Sequence, residues 1–300
     1  MRAWIPLAAL LFSASHAAEP ALEQKTFPTP EAAAEALVSA AERFDVTALK
    51  EIFGPEGLDL VVSDDPVMDR NDSAAFAAQA REKMQVVRDP KKKKRATILA
   101  GVDEWPLPIP LVQKRGQWRF DSKAGAQEVI QRRIGRNELD AIEVCEGYVE
   151  AQHEYASEKR DGAAVNQYAQ RVVSTPGRQD GLAWQDPDGT WRGPVGEGIA
   201  RVIAEGYSSR YEPYHGYYFK VLKGQGPAAP MGEMDFVVDG VMIGGFALVA
   251  APATYGVTGV KTFIVSHTGI VYEKDLGPDS VERFRAMERY DPDATWTPVP

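Results

Sequence analysis

Two hairpin signals in the last third of the chain constrain its fold more than any other feature of the sequence. Asp239-Gly240, a pair typical of a type I′ turn, interrupts the apolar stretch 236–250. The segment 266–269, Ser-His-Thr-Gly, interrupts the stretch 262–272 in the same way. Together with the strand-like run 217–222, these turns predict an antiparallel meander.

A long helical pattern precedes the meander. Within 124–159, apolar or small side chains recur every three or four residues, as they do on one face of a helix. The members of this predicted inner stripe are Leu139, Ile142, Cys145, Val149, Gln152 and Ala156. A helix followed by hairpins, without alternating strands and helices, predicts an α+β fold. Residues 160–200, rich in Gly, Pro, Asp and Ser, are expected to form an irregular excursion.

The first part of the chain carries its own helix signals. Thr29-Pro30 and Asp45 are typical helix starts. A third helix is predicted over 73–87, after a polar loop over 64–72, and a hairpin follows over 96–121. This order is similar to small cone-shaped domains of the nuclear-transport-factor-like class. We therefore expect N-terminal helices packed on a small antiparallel sheet.

The first 17 residues have the layout of a cleavable secretory signal peptide. Arg2 supplies the positive charge, residues 3–14 form an apolar core too short to span a bilayer, and the predicted cut lies between Ala17 and Ala18. We therefore expect a periplasmic or secreted protein. The predicted organisation is a signal peptide at 1–17, an N-terminal domain at 18–121 and a C-terminal helix-plus-meander domain at 122–300.

Charge and cysteine content exclude several classes of function. With 34 basic and 43 acidic residues, the formal charge is −9, which disfavours binding to nucleic acid or to anionic lipid. The single cysteine excludes an intramolecular disulfide and a cysteine-built zinc site. No further window reaches the length of a membrane span. We expect no cofactor and no metal.

Several long segments together resemble one bacterial family. They read RRIGRNELDAI, YVEAQHEYA, PYHGYYFKVLKGQG and GGFALVAAPATYGVTGVKTFIVSHTGIVYEKDLG, followed by DPDATW. They are similar to a family of exported proteins known as domain of unknown function 2950, and the resemblance covers most of the chain beyond the predicted signal peptide. This resemblance implies export and a fold, but no reaction.

A second resemblance concerns the C-terminal part alone. A helix leading into FALVAAPATYGVTGVKTFIVSHTGIVY is similar to the globular heads of pseudopilins and related pilin-like proteins. Those proteins keep an apolar N-terminal helix that polymerises. In this chain the only apolar N-terminal stretch has a cleavable layout, so pilus assembly in the usual manner is not implied.

An aromatic cluster is the strongest candidate binding surface. Its members are Trp184, Trp191, Tyr207, Tyr211, Tyr214 and Tyr217, with His215 among them. Tyrosine and tryptophan combine apolar area with a polar tip, which suits glycan stacking or a protein interface. The alternative is that these rings pack inward along a strand and cover an irregular loop.

Arg132, Arg133 and Arg136 form a second, weaker candidate for anion binding. Arginine grips carboxylates and phosphates with two parallel hydrogen bonds. The alternative is ion pairing with Glu128 or Asp140, which would dock the region between the two predicted domains.

No catalytic arrangement is predicted. Cys145 lies on the apolar helix stripe, where a cysteine behaves as a small hydrophobic residue. The residues therefore favour a non-catalytic envelope binding or assembly module, with another envelope protein or a glycan as partner. Two alternatives stay open: a hydrolase of an envelope polymer that uses Glu138 or Glu143 with His215, and a small-ligand site in the N-terminal cone.

Overall fold

The structure, a computed structural model, describes residues 23–57, 60, 62–63, 65–204 and 213–300. The predicted signal peptide and two members of the aromatic cluster, Tyr207 and Tyr211, lie outside the described residues. The helices are α1 (Pro30–Glu42), α2 (Val46–Phe53), α3 (Pro66–Glu82), α4 (Ser122–Ala156), α5 (Gly196–Ala204) and α6 (Ser280–Ala286), with a 3₁₀ turn at Pro55–Gly57.

The strands form one sheet in each half of the chain, and three short two-stranded ribbons accompany the second sheet. They are β1 (Met84–Arg88), β2 (Arg95–Ala100), β3 (Trp105–Pro106), β4 (Leu111–Lys114), β5 (Gln117–Phe120), β6 (Trp184–Gln185), β7 (Trp191–Arg192), β8 (Tyr217–Leu222), β9 (Gly224–Gln225), β10 (Met234–Asp235), β11 (Val237–Val238), β12 (Val241–Met242), β13 (Ala247–Pro252), β14 (Lys261–Ser266), β15 (Val271–Asp275) and β16 (Thr297–Pro298). The fold is α+β, as predicted.

The N-terminal helices pack on the antiparallel sheet β1-β2-β4-β5. The predicted caps are confirmed, since Thr29 Oγ1 accepts a hydrogen bond from Ala32 N at 3.0 Å and Asp45 Oδ1 accepts one from Ala48 N at 3.0 Å. Leu111 and Trp118 are buried in the core between helices and sheet. These two large side chains occupy part of the interior in which the sequence allowed a small-ligand site, whereas Trp105 of the same sheet is exposed.

The limits of the third helix differ from the prediction. α3 begins at Pro66, inside the predicted loop, because Asp65 accepts a hydrogen bond from Met68 N at 2.9 Å and caps the helix as Thr29 caps α1. The helix ends at Glu82, and β1 follows at once. The adjacent β-branched residues of β1, Val86 and Val87, pair with β2 instead of continuing the helix.

The C-terminal sheet is a meander with strand order β16-β15-β14-β13-β8. The predicted hairpin at 266–269 joins β14 to β15. The Asp239-Gly240 turn also forms, but it joins only β11 to β12 in a separate ribbon. The strand is interrupted between β12 and β13, where Gly244 lies so close to the backbone that an added Cβ would sit 2.6 Å from Asp235 O.

α4 is a single continuous helix that connects the two halves. Its first residue, Ser122, donates a hydrogen bond to Phe53 O at 2.6 Å, and its second half packs on the meander. The residues that it buries in this half are Asn137, Ala141, Cys145, Tyr148, Ala151, Gln152 and Tyr155. Cys145 is therefore buried as predicted, whereas the predicted inward position of Leu139 is wrong, since 69% of this residue is exposed. Leu139 and Ala141 are two positions apart, which turns the two side chains about 200° around the helix axis.

Candidate functional site

A tight turn holds a histidine against the middle of α4. Tyr214 and Tyr217 exchange two backbone hydrogen bonds, of 2.8 and 3.0 Å, around His215-Gly216. Both central residues have positive φ, 47° at His215 and 72° at Gly216, as a type I′ turn requires. The His215 Nδ1 atom lies 2.6 Å from Asp140 Oδ2, and both side chains are a little over one-quarter exposed. The ring of Tyr214 stacks on the imidazole with 4.1 Å between centroids.

Gly216 is the point at which the turn touches both halves of the chain. Its backbone N–H donates to Asp65 Oδ2, at the start of α3, across 3.0 Å. A Cβ at this position would lie 2.5 Å from Asn137 Nδ2 and 2.9 Å from Thr258 Cβ. Because of its positive φ and this close approach, glycine is the residue that fits here.

The neighbouring α4 residues hold the loop 254–260. Asn137 Nδ2 donates to Thr258 O at 2.9 Å. Glu138 Oε1 accepts hydrogen bonds from Val260 N at 2.9 Å and from Lys261 N at 3.0 Å. We call the set Asp65, Asn137, Glu138, Asp140, His215 and Gly216 the seam, because it joins α3, α4, the 214–217 turn and the 254–260 loop.

The predicted arginine cluster is paired within the chain. Arg132 contacts Glu128 at 2.5 Å, which is the alternative that the sequence offered, and its guanidinium lies 5.6 Å from the Trp105 ring. Arg136 binds both carboxylate oxygens of Asp72 on α3, at 2.6 and 3.2 Å. Arg133 Nη2 reaches the carbonyl oxygen of Leu60 at the long distance of 3.5 Å. These contacts add to the connection between α4 and the N-terminal helices.

The described aromatic residues of the predicted cluster differ in burial and in the elements that carry them. Trp184 and Trp191 sit in the β6–β7 ribbon, and Trp184 is half-buried with its ring 4.9 Å from the Arg160 guanidinium. Tyr217 is completely buried, and its hydroxyl donates to Lys261 O at 2.9 Å. Burial also raises the pKa of Tyr217. Tyr217 therefore belongs to the core, while Tyr214 belongs to the turn that carries His215.

A groove lies along the first part of α4, ahead of the residues with which this helix packs on the meander. Its 35 residues extend about 52 Å, whereas the longest strands of the meander have six residues and extend about 20 Å. Toward the start of the helix, the stripe that includes Ala141 and Cys145 continues as Ala126, Ile130 and Ile134. Among the residues that the structure describes, Ile130 and Ile134 belong to none of the three hydrophobic clusters.

We call this feature the α4 groove. Its volume is about 660 Å³. It is lined by Glu56, Lys123, Ala126, Gln127, Ile130, Gln131, Ile134, Gly256 and Val260. The sequence prediction did not identify it, although the i, i+4 spacing of Ile130 and Ile134 extends the same helix face. The groove adjoins the seam, since Val260 lines the groove and also binds Glu138.

Nucleophilic chemistry at the cysteine has no support. Burial raises the pKa of the Cys145 thiol to about 12. The thiol is therefore protonated at neutral pH, and only a thiolate is a strong nucleophile. Within the described ranges, no three His, Cys, Asp or Glu side chains are grouped so that they could hold a metal ion.

A thiol reagent tests the state of Cys145. We expect 5,5′-dithiobis(2-nitrobenzoate) to leave the folded protein unmodified at pH 8, where about one thiol in ten thousand is ionised. In concentrated guanidinium chloride the same sample should release one equivalent of chromophore, since the chain has one cysteine. Rapid labelling of the folded protein would contradict the burial.

Comparison with known proteins identifies a family and no further relative. In the described part of the chain, no helix combines the length and the apolar character needed to cross a membrane. A family model described as "Protein of unknown function (DUF2950)" matches residues 24–299. A search of the curated proteins found no match, and a search of the solved structures found none either. The pilin-like resemblance stays a prediction.

Proposed function

The chain belongs to the DUF2950 family, and we propose that it is a non-catalytic, exported module of the cell envelope that binds another protein in the α4 groove. The observation that carries this proposal is the half-buried apolar stripe Ala126, Ile130 and Ile134, which lines the α4 groove. Export is supported by the layout of residues 1–17, whose predicted cut between Ala17 and Ala18 leaves a chain that starts ahead of all described elements.

The lining of the groove favours a protein segment over a glycan. Ile130, Ile134 and Val260 supply an apolar floor, and Lys123 and Gln131 supply polar groups beside it. None of the lining residues, all of which the structure describes, is aromatic, and glycan sites use aromatic rings for stacking. An amphipathic segment that places apolar side chains on such a floor is the recognition mode this shape supports.

A hydrolase is the second candidate, and the pair His215–Asp140 is the observation that favours it. A histidine within hydrogen-bond reach of a carboxylate is a common general base, with the carboxylate fixing the ring. The carboxylate against His215 is Asp140, whereas Glu138, one of the two proposed from sequence, is held by two backbone amides. The same contacts also fit a purely structural role for the turn.

Site-specific photocrosslinking in the native host tests the proposed function. A photoreactive residue at Gln131, beside the groove, is expected to capture a distinct partner from the envelope fraction. The same residue at Trp191 tests the aromatic surface, and at the exposed Glu146 it serves as a background control. Mass spectrometry of the recovered chain should give an N-terminus at Ala18. The proposal in its stated form would be overturned if only the photoreactive residue at Trp191 captured a partner. It would also be overturned if the recovered chain still began with Met1.

Two lysine substitutions provide a matched control. I134K places a charge on the groove floor, whereas L139K places one on an exposed position of the same helix. We expect I134K to reduce capture at Gln131 at least about tenfold, because burying an unpaired charge is costly, and L139K to leave capture unchanged. Equal capture by both variants would exclude the groove as the contact. H215Q removes the candidate base. Loss of a hydrolytic activity in H215Q would favour the second candidate.

A further inference from the structure

A second groove lies between α6 and the C-terminal tail, on a different part of the meander from α4's groove. Its volume is about 270 Å³. The lining residues are Ile264, Lys274, Leu276, Arg283, Met287, Arg289, Asp291 and Trp296. We call it the tail groove. Three of these side chains are cationic and one is anionic, in a chain whose formal charge is −9. The lining residues alone therefore carry a net positive charge, although the molecule as a whole is negative.

Two of the three cationic side chains of the tail groove, Arg289 and Lys274, are held by contacts within the fold. Arg289 Nη1 donates to Gln225 O at 3.0 Å and to Met234 O at 3.1 Å, while its Nη2 contacts Asp235 at 2.6 Å. Lys274 Nζ donates to Thr295 Oγ1 at 2.5 Å and lies 5.6 Å from the Trp296 ring centroid.

Arg283 differs from these two cations. It is exposed on α6, and no carboxylate of the described residues lies within 4 Å of its guanidinium. Its donors are therefore available to an external anion, and two parallel hydrogen bonds from one guanidinium match the geometry of a carboxylate.

The floor of the tail groove is apolar. Ile264 and Leu276 are buried, and Met287 and Trp296 are half-buried at the edge of the meander core. A small inorganic anion would leave this floor without a partner, whereas an organic acid would cover it. The volume lies just below the range of ordinary drug-sized sites, which limits the ligand to a small body.

We propose that the tail groove binds a small organic carboxylate with an apolar, ring-sized body. The carboxylate pairs with Arg283, because Lys274 and Arg289 already lie beside Asp293 and Asp235. The apolar body lies on Leu276, Met287 and Trp296. This site is separate from the α4 groove and does not depend on the proposed partner protein.

Three probes test the chemistry on the purified chain. Phenylacetate carries both the charge and the apolar ring, phenylacetamide carries only the ring, and inorganic phosphate carries only the charge. In titrations followed by the ¹⁵N-labelled indole signals, with Trp296 assigned from W296F, we expect phenylacetate to shift the Trp296 signal and to bind at least about threefold more tightly than either other probe. Equal binding of phenylacetamide would overturn the role of the cations, and equal binding of phosphate would overturn the role of the apolar floor.

Two arginines on α6 give the matched variants. R283Q removes the cation that the site needs, whereas R285Q removes an exposed cation two residues away that does not line the groove. We expect R283Q to weaken phenylacetate binding about threefold to tenfold and R285Q to leave it unchanged. Because Arg283 is exposed, R283Q should keep the thermal midpoint of the parent chain. If both variants lost phenylacetate affinity equally, or if all indole signals shifted together, phenylacetate would be attracted to the charged surface in general. Either result would overturn the proposed site.

Discussion

Replacing Gly216 by alanine is expected to lower the free energy of unfolding by about 3 kcal/mol. The positive φ of 72° disfavours any side chain, and the added Cβ would meet Asn137 Nδ2 at 2.5 Å and Thr258 Cβ at 2.9 Å. Relief of these overlaps must move the turn away from α4, which weakens the contact of His215 with Asp140 as well. Urea unfolding at pH 7, followed by far-ultraviolet circular dichroism, measures the loss.

Gly240 provides the control for backbone strain. It has a similar φ of 81°, in the turn between β11 and β12, but an added Cβ there would meet nothing within 4 Å. G240A should therefore cost about 1 kcal/mol, from the left-handed backbone alone. The difference between the two variants measures the close approach of the turn to α4. Similar losses would mean that the approach of Gly216 to Asn137 contributes nothing to stability.

The seam also shapes the proposed binding site. Glu138 holds the backbone of Val260, and Val260 forms part of the wall of the α4 groove. A side chain added at Gly216 would meet both Asn137 Nδ2 and Thr258 Cβ, the two residues that hold the 254–260 loop on α4. Stability of the seam and shape of the groove are therefore linked through one short loop.

Local signals in the sequence predicted much of the fold. The caps at Thr29 and Asp45, the turn at Asp239-Gly240 and the strand 217–222 depend on neighbouring residues, and each formed where the sequence placed it. The start of α3 was missed although Asp65-Pro66 carries the same cap and proline as Thr29-Pro30. That signal was present in the sequence and was outweighed by the polar composition of 64–72.

The candidate site depended on tertiary contacts that no local pattern contains. His215 and Asp140 are 75 residues apart, and their contact follows from the position of the 214–217 turn on α4. The helix offers several acidic residues, and only the docked turn distinguishes Asp140 from Glu138. The α4 groove combines one face of the helix with Glu56, Gly256 and Val260, which are far from it in sequence, so no local pattern predicts it.

Replacing Asp65 by alanine is expected to lower the free energy of unfolding by about 2 to 4 kcal/mol. The carboxylate is 1% exposed and serves two amides: its Oδ1 caps α3 at Met68 N, and its Oδ2 accepts the Gly216 N–H. Alanine removes the cap and leaves the Gly216 N–H buried without this acceptor. The same urea titration measures the effect.

Two further variants, D45A and D65N, separate the contribution of the helix cap from that of the hydrogen bond to Gly216. Asp45 caps α2 through Ala48 N at 3.0 Å and is less buried, so D45A should lose only the cap, about 1 kcal/mol. Asparagine caps helices as well as aspartate does but has a single carbonyl oxygen, so D65N can satisfy only one of the two amides. We expect D65N to fall between the parent chain and D65A. A loss in D65A no larger than that in D45A would show that the link to Gly216 is not a stabilising contact.

The double variant D65A/G216A decides whether the two residues act through one contact. Both substitutions disturb the same hydrogen bond, between Asp65 Oδ2 and the Gly216 N–H, so its loss cannot be counted twice. We expect the double variant to be more stable than the sum of the single losses predicts, by about 1 kcal/mol. The pair D45A/G216A, whose residues share no contact in the described structure, should be additive. Additive losses in both pairs would mean that α3 and the 214–217 turn are held to α4 independently, and that the seam is two separate attachments.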